Sequence, residues 1–193
     1  MIELLFVTAI FCVMAAIALP SLAPAARGYR LAGDARTLTH NVSLAKMRAA
    51  AAFTRARLRA DTGAGTFSIQ RWDTTITPND WVLDGGVERL SPGVAFGFGG
   101  LTTSPPFTQG TGTIYQSTAC RDNATPPVVI ANTACIVFNS RGVPIDSTGA
   151  PLGGNGLYLT DGSAVYGTLV AATGLTNLWW TPYTTPPAWQ KQQ

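Results

Sequence analysis

The residue types that could do chemistry are few in this chain of 193 residues. His40 is the only histidine, so a Ser–His–Asp or Cys–His catalytic arrangement would have to be built around that one imidazole. The run Gly97–Gly100 lacks the spacing and the lysine of a phosphate-binding loop. The closest group of acids, Asp80, Asp84 and Glu88, is typical of ordinary solvated loop charges. The sequence therefore predicts no enzyme, no cofactor and no metal site.

The three cysteines divide into a pair and a single residue. Cys120 and Cys135 lie in the Gly- and Thr-rich part of the chain, whereas Cys12 lies in an apolar stretch. A disulfide between the first two would fit an oxidising, extracytoplasmic compartment and would stabilise the fold by about 3 kcal/mol. Two unrelated buried thiols are the alternative. A zinc site is not indicated, because the only histidine is far away and no second cysteine pair exists.

The N-terminal stretch Ile2–Leu19 is charged only at Glu3 and is closed by Pro20. Its uncharged part would span roughly 24 Å as a helix, which is just short of a hydrocarbon core of about 30 Å. A cleaved signal peptide is the main alternative, since Ala23–Ala26 resembles a small-residue cleavage site, but no Lys or Arg precedes the apolar run. We therefore expect a retained transmembrane or assembly helix over residues 1–26. The carboxylate of Glu3 would be costly inside lipid unless it is paired.

Residues 27–62 have the pattern of an amphipathic helix that continues the apolar one. Apolar side chains recur there at alternating spacings of four and three, which is the seam of one helix face. The seam consists of Leu31, Ala35, Leu38, Val42, Ala45, Ala49, Ala52 and Ala56. The segment is also basic, because residues 27–60 carry eight Arg or Lys against the single acid Asp34. Asp61–Gly65 predicts the end of this helix.

After Gly65 the period of the apolar residues drops to two, which is typical of strands. The predicted strands are Thr66–Trp72, Trp81–Leu83, Val94–Phe98, Thr113–Gln116, Val128–Ala131, Cys135–Asn139, Leu157–Thr160, Ala164–Ala172 and Asn177–Trp180. Asp161–Gly162 predicts a two-residue hairpin turn between two of them. We therefore expect a β-rich globular region over residues 63–180 and an irregular tail over residues 181–193.

The N-terminal residues resemble the signature of a known family. Ile2–Leu5, the apolar run that follows and Ala18–Leu22 are similar to the N-terminus of type IV pilins and type II secretion pseudopilins. Leu44–Ala49, Cys135–Gly142 and the hairpin Leu157–Val165 resemble the GspH/FimT branch. The resemblance implies an α+β, pilin-like fold, with a long N-terminal α-helix, apolar in its first half, packed on a β-sheet-rich C-terminal head.

The resemblance also implies a function, that of a structural subunit of a type IV pilus or a type II secretion pseudopilus. Such a subunit waits in the inner membrane and then enters an extracellular or periplasmic filament. Its partners are copies of itself and other pilins, the inner-membrane assembly machinery and the prepilin peptidase. In that family the glutamate that matches Glu3 pairs with the N-terminal amine of a neighbour, and the proline that matches Pro20 lies where the helix can loosen. Because the family carries a short basic leader, we expect the true start upstream of Met1.

A DNA-binding minor pilin that acts in DNA uptake is the alternative function. Contact with phosphate requires basic residues, and the available cluster is Arg55, Arg57, Arg59 and Arg71. The first three are expected at the junction of helix and head, where contact with neighbouring subunits is an equal use for them. A membrane-tethered enzyme is a third alternative, which the single histidine and the missing motifs disfavour.

Overall fold

A computed structural model of the chain describes residues 2–110 and 112–192, with the backbone alone at residues 5, 15 and 17–24. The predicted role of Pro20 therefore lies outside the described side chains. The first element, helix α1, runs from Ile2 to Ala51. Its described side chains are exposed from Ile2 to Met14, and buried positions begin only at Leu31. Within the part of the chain that the structure describes, we find no helix with the length and apolarity needed to cross a membrane.

The end of α1 is set by a backbone motif without glycine. Phe53 adopts a left-handed conformation with φ of 50°, and its amide donates to the carbonyl of Ala50 at 3.3 Å. The amide of Thr54 donates to the carbonyl of Ala49 at 3.2 Å. These two bonds are the pair that closes a Schellman motif, in which the left-handed residue is usually glycine. The helix therefore stops at Ala51 rather than at the predicted Asp61–Gly65.

Ten strands follow, all paired antiparallel and arranged in two five-stranded sheets. Sheet A has the order β3-β2-β1-β5-β6, and its strands are β1 (Ala56–Asp61), β2 (Thr66–Asp73), β3 (Asp80–Arg89), β5 (Thr133–Phe138) and β6 (Pro144–Ile145). Sheet B has the order β10-β9-β8-β7-β4, and its strands are β4 (Ala95–Phe96), β7 (Asn155–Thr160), β8 (Ala164–Val170), β9 (Thr176–Pro182) and β10 (Gln190–Gln192).

The predicted fold class, a long N-terminal helix packed on a β-rich head, is wrong. The described residues are built mainly as two β-sheets, and the helical residues that bury side chains lie within residues 25–51. The predicted amphipathic helix over residues 27–62 gives way at Ala56 to β1, a central strand of sheet A. The apolar stretch Ile2–Met14 packs on neither sheet, since its described side chains are exposed.

The core lies where the C-terminal part of α1 meets both sheets. The first six residues of the predicted seam, Leu31 to Ala49, are all buried, which confirms that part of the seam. The side chains of β1 point alternately toward α1 and away from it, because successive residues of a strand face opposite sides of the sheet. Leu58 therefore lies between Ile69 and Ile136 in register, and all three are buried in the core.

Most of the predicted strands are confirmed, with shifted ends. The hairpin at Asp161 is also confirmed, but three residues rather than two connect β7 to β8. Asp161 holds this turn because its Oδ1 accepts hydrogen bonds from Ser163 and Ala164. Two predicted strands, Thr113–Gln116 and Val128–Ala131, form only isolated bridges. The sequence did not predict β1, β6 or β10.

Replacing Gly174 by Ala is expected to destabilise the protein by at least about 1 kcal/mol more than replacing Gly149 by Ala. Both glycines have a left-handed φ, 78° and 88°, so both variants carry backbone strain. A Cβ at Gly149 would meet open space, whereas one at Gly174 would collide with the carbonyl oxygen of Gly142. Urea unfolding of both variants measures the difference. Equal losses of stability would show that the loop at Gly174 yields to the extra atom.

Candidate functional site

The first candidate feature is the exposed apolar surface of Ile2–Met14, which we call the apolar segment. Its described large apolar side chains are exposed to between 49% at Val7 and 74% at Ile2. These described side chains are Ile2, Leu4, Phe6, Val7, Ile10, Phe11, Val13 and Met14. Contiguous apolar patches are uncommon on soluble monomers and generally mark a surface that another molecule covers. The apolar segment can therefore bind lipid or another apolar surface.

Glu3 is the only charged side chain in the apolar segment, and it is exposed. It lies in the first turn of α1, where a carboxylate gains a little from the positive end of the helix dipole. That gain is small compared with the cost of taking an unpaired carboxylate out of water. A molecule that covers the first turn of α1 would therefore have to leave the carboxylate of Glu3 in water or offer it a positive charge.

The second candidate feature lies on the outer face of sheet A, which is the face opposite α1. Arg57 and Arg59 point to this face because Ala56, Leu58 and Ala60 alternate with them and are buried in the core. Arg57 is directly opposite Gln70 on β2 and Val137 on β5. Trp72 and Trp81 are paired in register near the C-terminal end of β2. The outer face thus brings arginines and tryptophans together from three strands.

Arg57 is a buried cation with an exposed fraction of only 3%. Its Nε donates to Gln70 Oε1 at 2.7 Å and its Nη1 donates to the carbonyl of Arg121 at 2.7 Å. Its guanidinium carbon lies 4.1 Å from the centroid of the Trp81 ring, within the range of a cation–π contact. The pKa of Arg57 is lowered to about 9, mainly by burial and in smaller part by the positive charge of Arg59, while the negative charge of Asp80 opposes both effects.

A cavity of about 530 Å³ lies beside Arg57. Its walls include Trp72 and Trp81 from sheet A and Arg55, which immediately precedes β1. The opposite side is the loop that begins at Thr118, and the disulfide between Cys120 and Cys135 ties this loop to β5. The predicted pairing of these two cysteines is confirmed, with Cα atoms 5.0 Å apart. The disulfide therefore holds the loop over the arginine.

The four arginines predicted for nucleic acid do not form one cluster. Arg55 and Arg57 line the cavity, and Arg59 lies farther along the same face of β1. Arg71 is opposite Ala56, so it points to the other face of the sheet, where its guanidinium is 3.8 Å from Asp73. Of the three arginines expected at the junction of helix and head, Arg55 lies between α1 and β1, whereas Arg57 and Arg59 lie within β1.

Other residues singled out from the sequence have structural roles or are simply exposed. Asp84 forms an ion pair with Arg48 at 2.7 Å, and Glu88 accepts a hydrogen bond from Asn41. His40 is exposed on α1. Among the described residues, no group of three or more His, Cys, Asp and Glu could hold a metal ion.

Sequence reasoning missed the two tryptophans of the cavity, Gln70 and Arg121. The signal for the arginines was present, since Arg55, Arg57 and Arg59 recur with the strand period of two. The pairing of Trp72 with Trp81 depends on the register of β2 and β3, which no local pattern specifies. Comparisons of the chain with protein-family models, with curated proteins and with solved structures found no match.

Proposed function

We propose that this chain is a structural subunit of a type IV pilus or type II secretion pseudopilus filament, and that it assembles through the apolar segment. The observation that carries the proposal is the exposure of the large apolar side chains from Ile2 to Met14. The resemblance of the same residues to the pilin signature gives the kind of assembly. The proposed partners are copies of this chain and other pilins, served by prepilin peptidase and an inner-membrane assembly machinery.

Burial of the apolar segment stabilises an assembled subunit against release into water. Removing one exposed Leu, Ile, Phe or Met side chain from water is worth about 1.5–3 kcal/mol. Association costs an estimated 4–15 kcal/mol in lost translational and rotational freedom. Because Phe6, Ile10 and Phe11 are only three of the exposed side chains, the apolar segment has enough surface to offset that cost.

Glu3 gives the assembly its specificity. Inside a bundle of apolar segments its carboxylate would be buried, and a buried charge is tolerated only beside an opposite charge. The resemblance supplies that charge, because the matching glutamate pairs with the N-terminal amine of a neighbour in the pilin family. A misplaced neighbour would leave both charges unpaired, so the pair favours one axial offset between subunits.

The proposed location before assembly is the inner membrane. A helix over Ile2–Met14 reaches about 20 Å at 1.5 Å per residue, which is part of a hydrocarbon core of about 30 Å. Lipid and neighbouring subunits are both apolar, so the apolar segment would exchange one apolar environment for another on assembly. Extraction from the membrane would then cost little, and the filament would lie outside the inner membrane.

Replacing Glu3 by Ala is expected to leave the sheets folded and to reduce filament yield strongly, because the buried amine of a neighbour loses its partner. Replacing Glu3 by Gln tests charge separately from shape and is expected to have the same effect. Arg89→Ala removes an exposed charged side chain on β3, outside the apolar segment, and is the control. Sheared-filament yield and circular dichroism of the subunit measure assembly and folding. Normal yield from both Glu3 variants would contradict the pairing.

A triple variant tests whether the exposed apolar side chains of the apolar segment are needed for assembly. Changing Phe6, Ile10 and Val13 together to Ser removes the apolar surface while leaving Glu3 in place. A normal filament yield from this variant would overturn assembly through the apolar segment. Loss of filaments with an intact Cys120–Cys135 disulfide, found by mass spectrometry, would support it.

We do not extend the proposal to DNA uptake. Arg57 is buried and already donates two hydrogen bonds, and Arg71 points to the other face of sheet A beside Asp73. That leaves Arg55 and Arg59 for phosphate contact, and two contacts provide little of the electrostatic free energy on which non-specific DNA binding depends.

A further inference from the structure

The cavity on the outer face of sheet A has a buried guanidinium and no carboxylate paired with it. The ion pairs of the described residues join Arg48 to Asp84 and Arg71 to Asp73, and neither includes Arg57. We propose that this cavity binds an organic monocarboxylate, with the carboxylate at Arg57 and Arg55 and the apolar part against Trp72 and Trp81. This binding is independent of filament assembly, because no residue of the apolar segment lines the cavity.

The hydrogen-bonding capacity of Arg57 supports an acceptor in the cavity. A guanidinium has five N–H donors, and those on Nε and Nη1 already reach Gln70 and the carbonyl of Arg121. No hydrogen bond from Nη2 to a described residue is present. Because Arg57 lines the cavity and Nη2 is not a buried, unpartnered atom, a carboxylate in the cavity can reach Nη2 and accept from it with good geometry.

The charge balance of the lining selects an anion with one negative charge. Three arginines line the cavity, Arg55, Arg57 and Arg121, against two acids, Asp122 and Asp146. Both acids are engaged in their own loops, since Asp122 accepts from the amide of Val128 at 2.7 Å and Asp146 from the amide of Thr148 at 2.8 Å. The lining therefore carries a net charge of +1, and Asp80 and Arg59, which act on Arg57 from outside the lining, cancel each other. The two carboxylates of the lining disfavour a dianion such as phosphate.

The walls of the cavity are partly apolar, so they can contact the apolar part of the same ligand. Trp72 and Trp81 meet edge to face with centroids 5.2 Å apart, and Val137 lies on the neighbouring strand. Arg55 is exposed and lies 5.1 Å from the centroid of Trp72, so it borders the cavity from the solvent side. The volume of about 530 Å³ lies within the common range for small-molecule sites.

The test compares an acid with its neutral amide. The full-length chain in a mild non-ionic detergent is titrated with phenylacetate, phenylacetamide and inorganic phosphate, and the indole N–H signals of Trp72 and Trp81 are followed by NMR. We expect saturable shifts with phenylacetate and at least tenfold weaker binding of phenylacetamide. The amide enters detergent micelles more readily than the acid, so micelle partition cannot produce this preference.

Variants assign the binding to the cavity. Arg55→Gln, at an exposed position, is expected to weaken phenylacetate binding about tenfold. Arg89→Gln is the control, because Arg89 is an exposed arginine on β3 of the same sheet that does not line the cavity. Arg57→Met is expected to abolish the preference for acid over amide. If Arg57→Met does not fold, the comparison of phenylacetate with phenylacetamide and the Arg55→Gln variant still test the proposal.

The relative affinities of two ligands show whether the carboxylate comes from a peptide C-terminus or from a small organic acid. Tighter binding of acetyl-Gly-Gly-Phe as the free acid than of phenylacetate would identify a peptide C-terminus, and the reverse order would identify a small acid. Equal binding of acid and amide would overturn the proposal. So would tighter binding of phosphate, or shifts that are unchanged in Arg55→Gln.

Discussion

Replacing Phe138 by Ala is expected to lower the free energy of unfolding by about 3–5 kcal/mol. Phe138 is fully buried at the end of β5, and it is among the largest side chains in the core where α1 meets the sheets. In register it lies between Ala56 on β1 and Pro144 on β6. Small neighbours cannot reach into the space that the ring would vacate, so the cavity would remain largely open. Urea unfolding followed by tryptophan fluorescence measures the loss.

Val137 supplies the matched control for Phe138. It is the preceding residue of the same strand, but it is only half-buried and lines the cavity on the outer face. Val137→Ala is expected to cost about 1 kcal/mol, because little buried apolar area is lost. Similar losses for the two variants would mean that the outer face of sheet A carries as much of the stability as the helix-facing side.

Removing the disulfide by changing Cys120 and Cys135 to Ala is expected to lower the free energy of unfolding by about 3 kcal/mol. The bond closes a loop with a sequence separation of 15, so its loss restores conformational freedom to the unfolded chain. The loop that it restrains also carries the Arg121 carbonyl that accepts from Arg57. We expect phenylacetate binding in the cavity to weaken together with stability.

Cys12→Ala provides the control for the disulfide variant. This thiol is free and exposed, so the change should leave the unfolding midpoint unaltered. Adding a reductant to the Cys12→Ala protein should reproduce the loss seen in the double variant. An unfolding midpoint that is insensitive to reductant would show that the disulfide adds nothing to stability.

The sequence predicted the buried part of α1 well but not its end. The seam from Leu31 to Ala49 is confirmed, because period-four and period-three burial is a local property of a helix on a sheet. Beyond Ala49 the predicted seam is wrong, because Ala52 and Ala56 match its spacing but lie after the end of the helix. The true stop depends on Phe53 in a left-handed conformation, and nothing in the residue type predicts this. Phe53 is also 87% exposed, so no core contact explains the choice.

The candidate site was predictable only in part. The disulfide followed from the cysteine count, and the apolar segment followed from composition. The cavity was not predicted, because it requires β1, a strand that was taken for helix, and the register between β2 and β3 that sets Trp72 beside Trp81. The pairing of β1 with β5 is long-range and is set by the assembled core, and the register of the hairpin of β2 and β3 is shifted by an irregularity between Ser68 and Gln70. The overall fold class was wrong for the same reason.

The polar contacts along the C-terminal part of α1 have a mechanical consequence. These contacts are shared between the two sheets. Asn41 and Arg48 bond to Glu88 and Asp84 on β3 of sheet A, whereas Thr39 bonds to Thr168 on β8 of sheet B. A pull along the helix axis would therefore load both sheets in shear and would strain these bonds together rather than one after another. Tension applied at the N-terminus would be shared, so the joint between helix and sheets would resist force better than any one of its contacts.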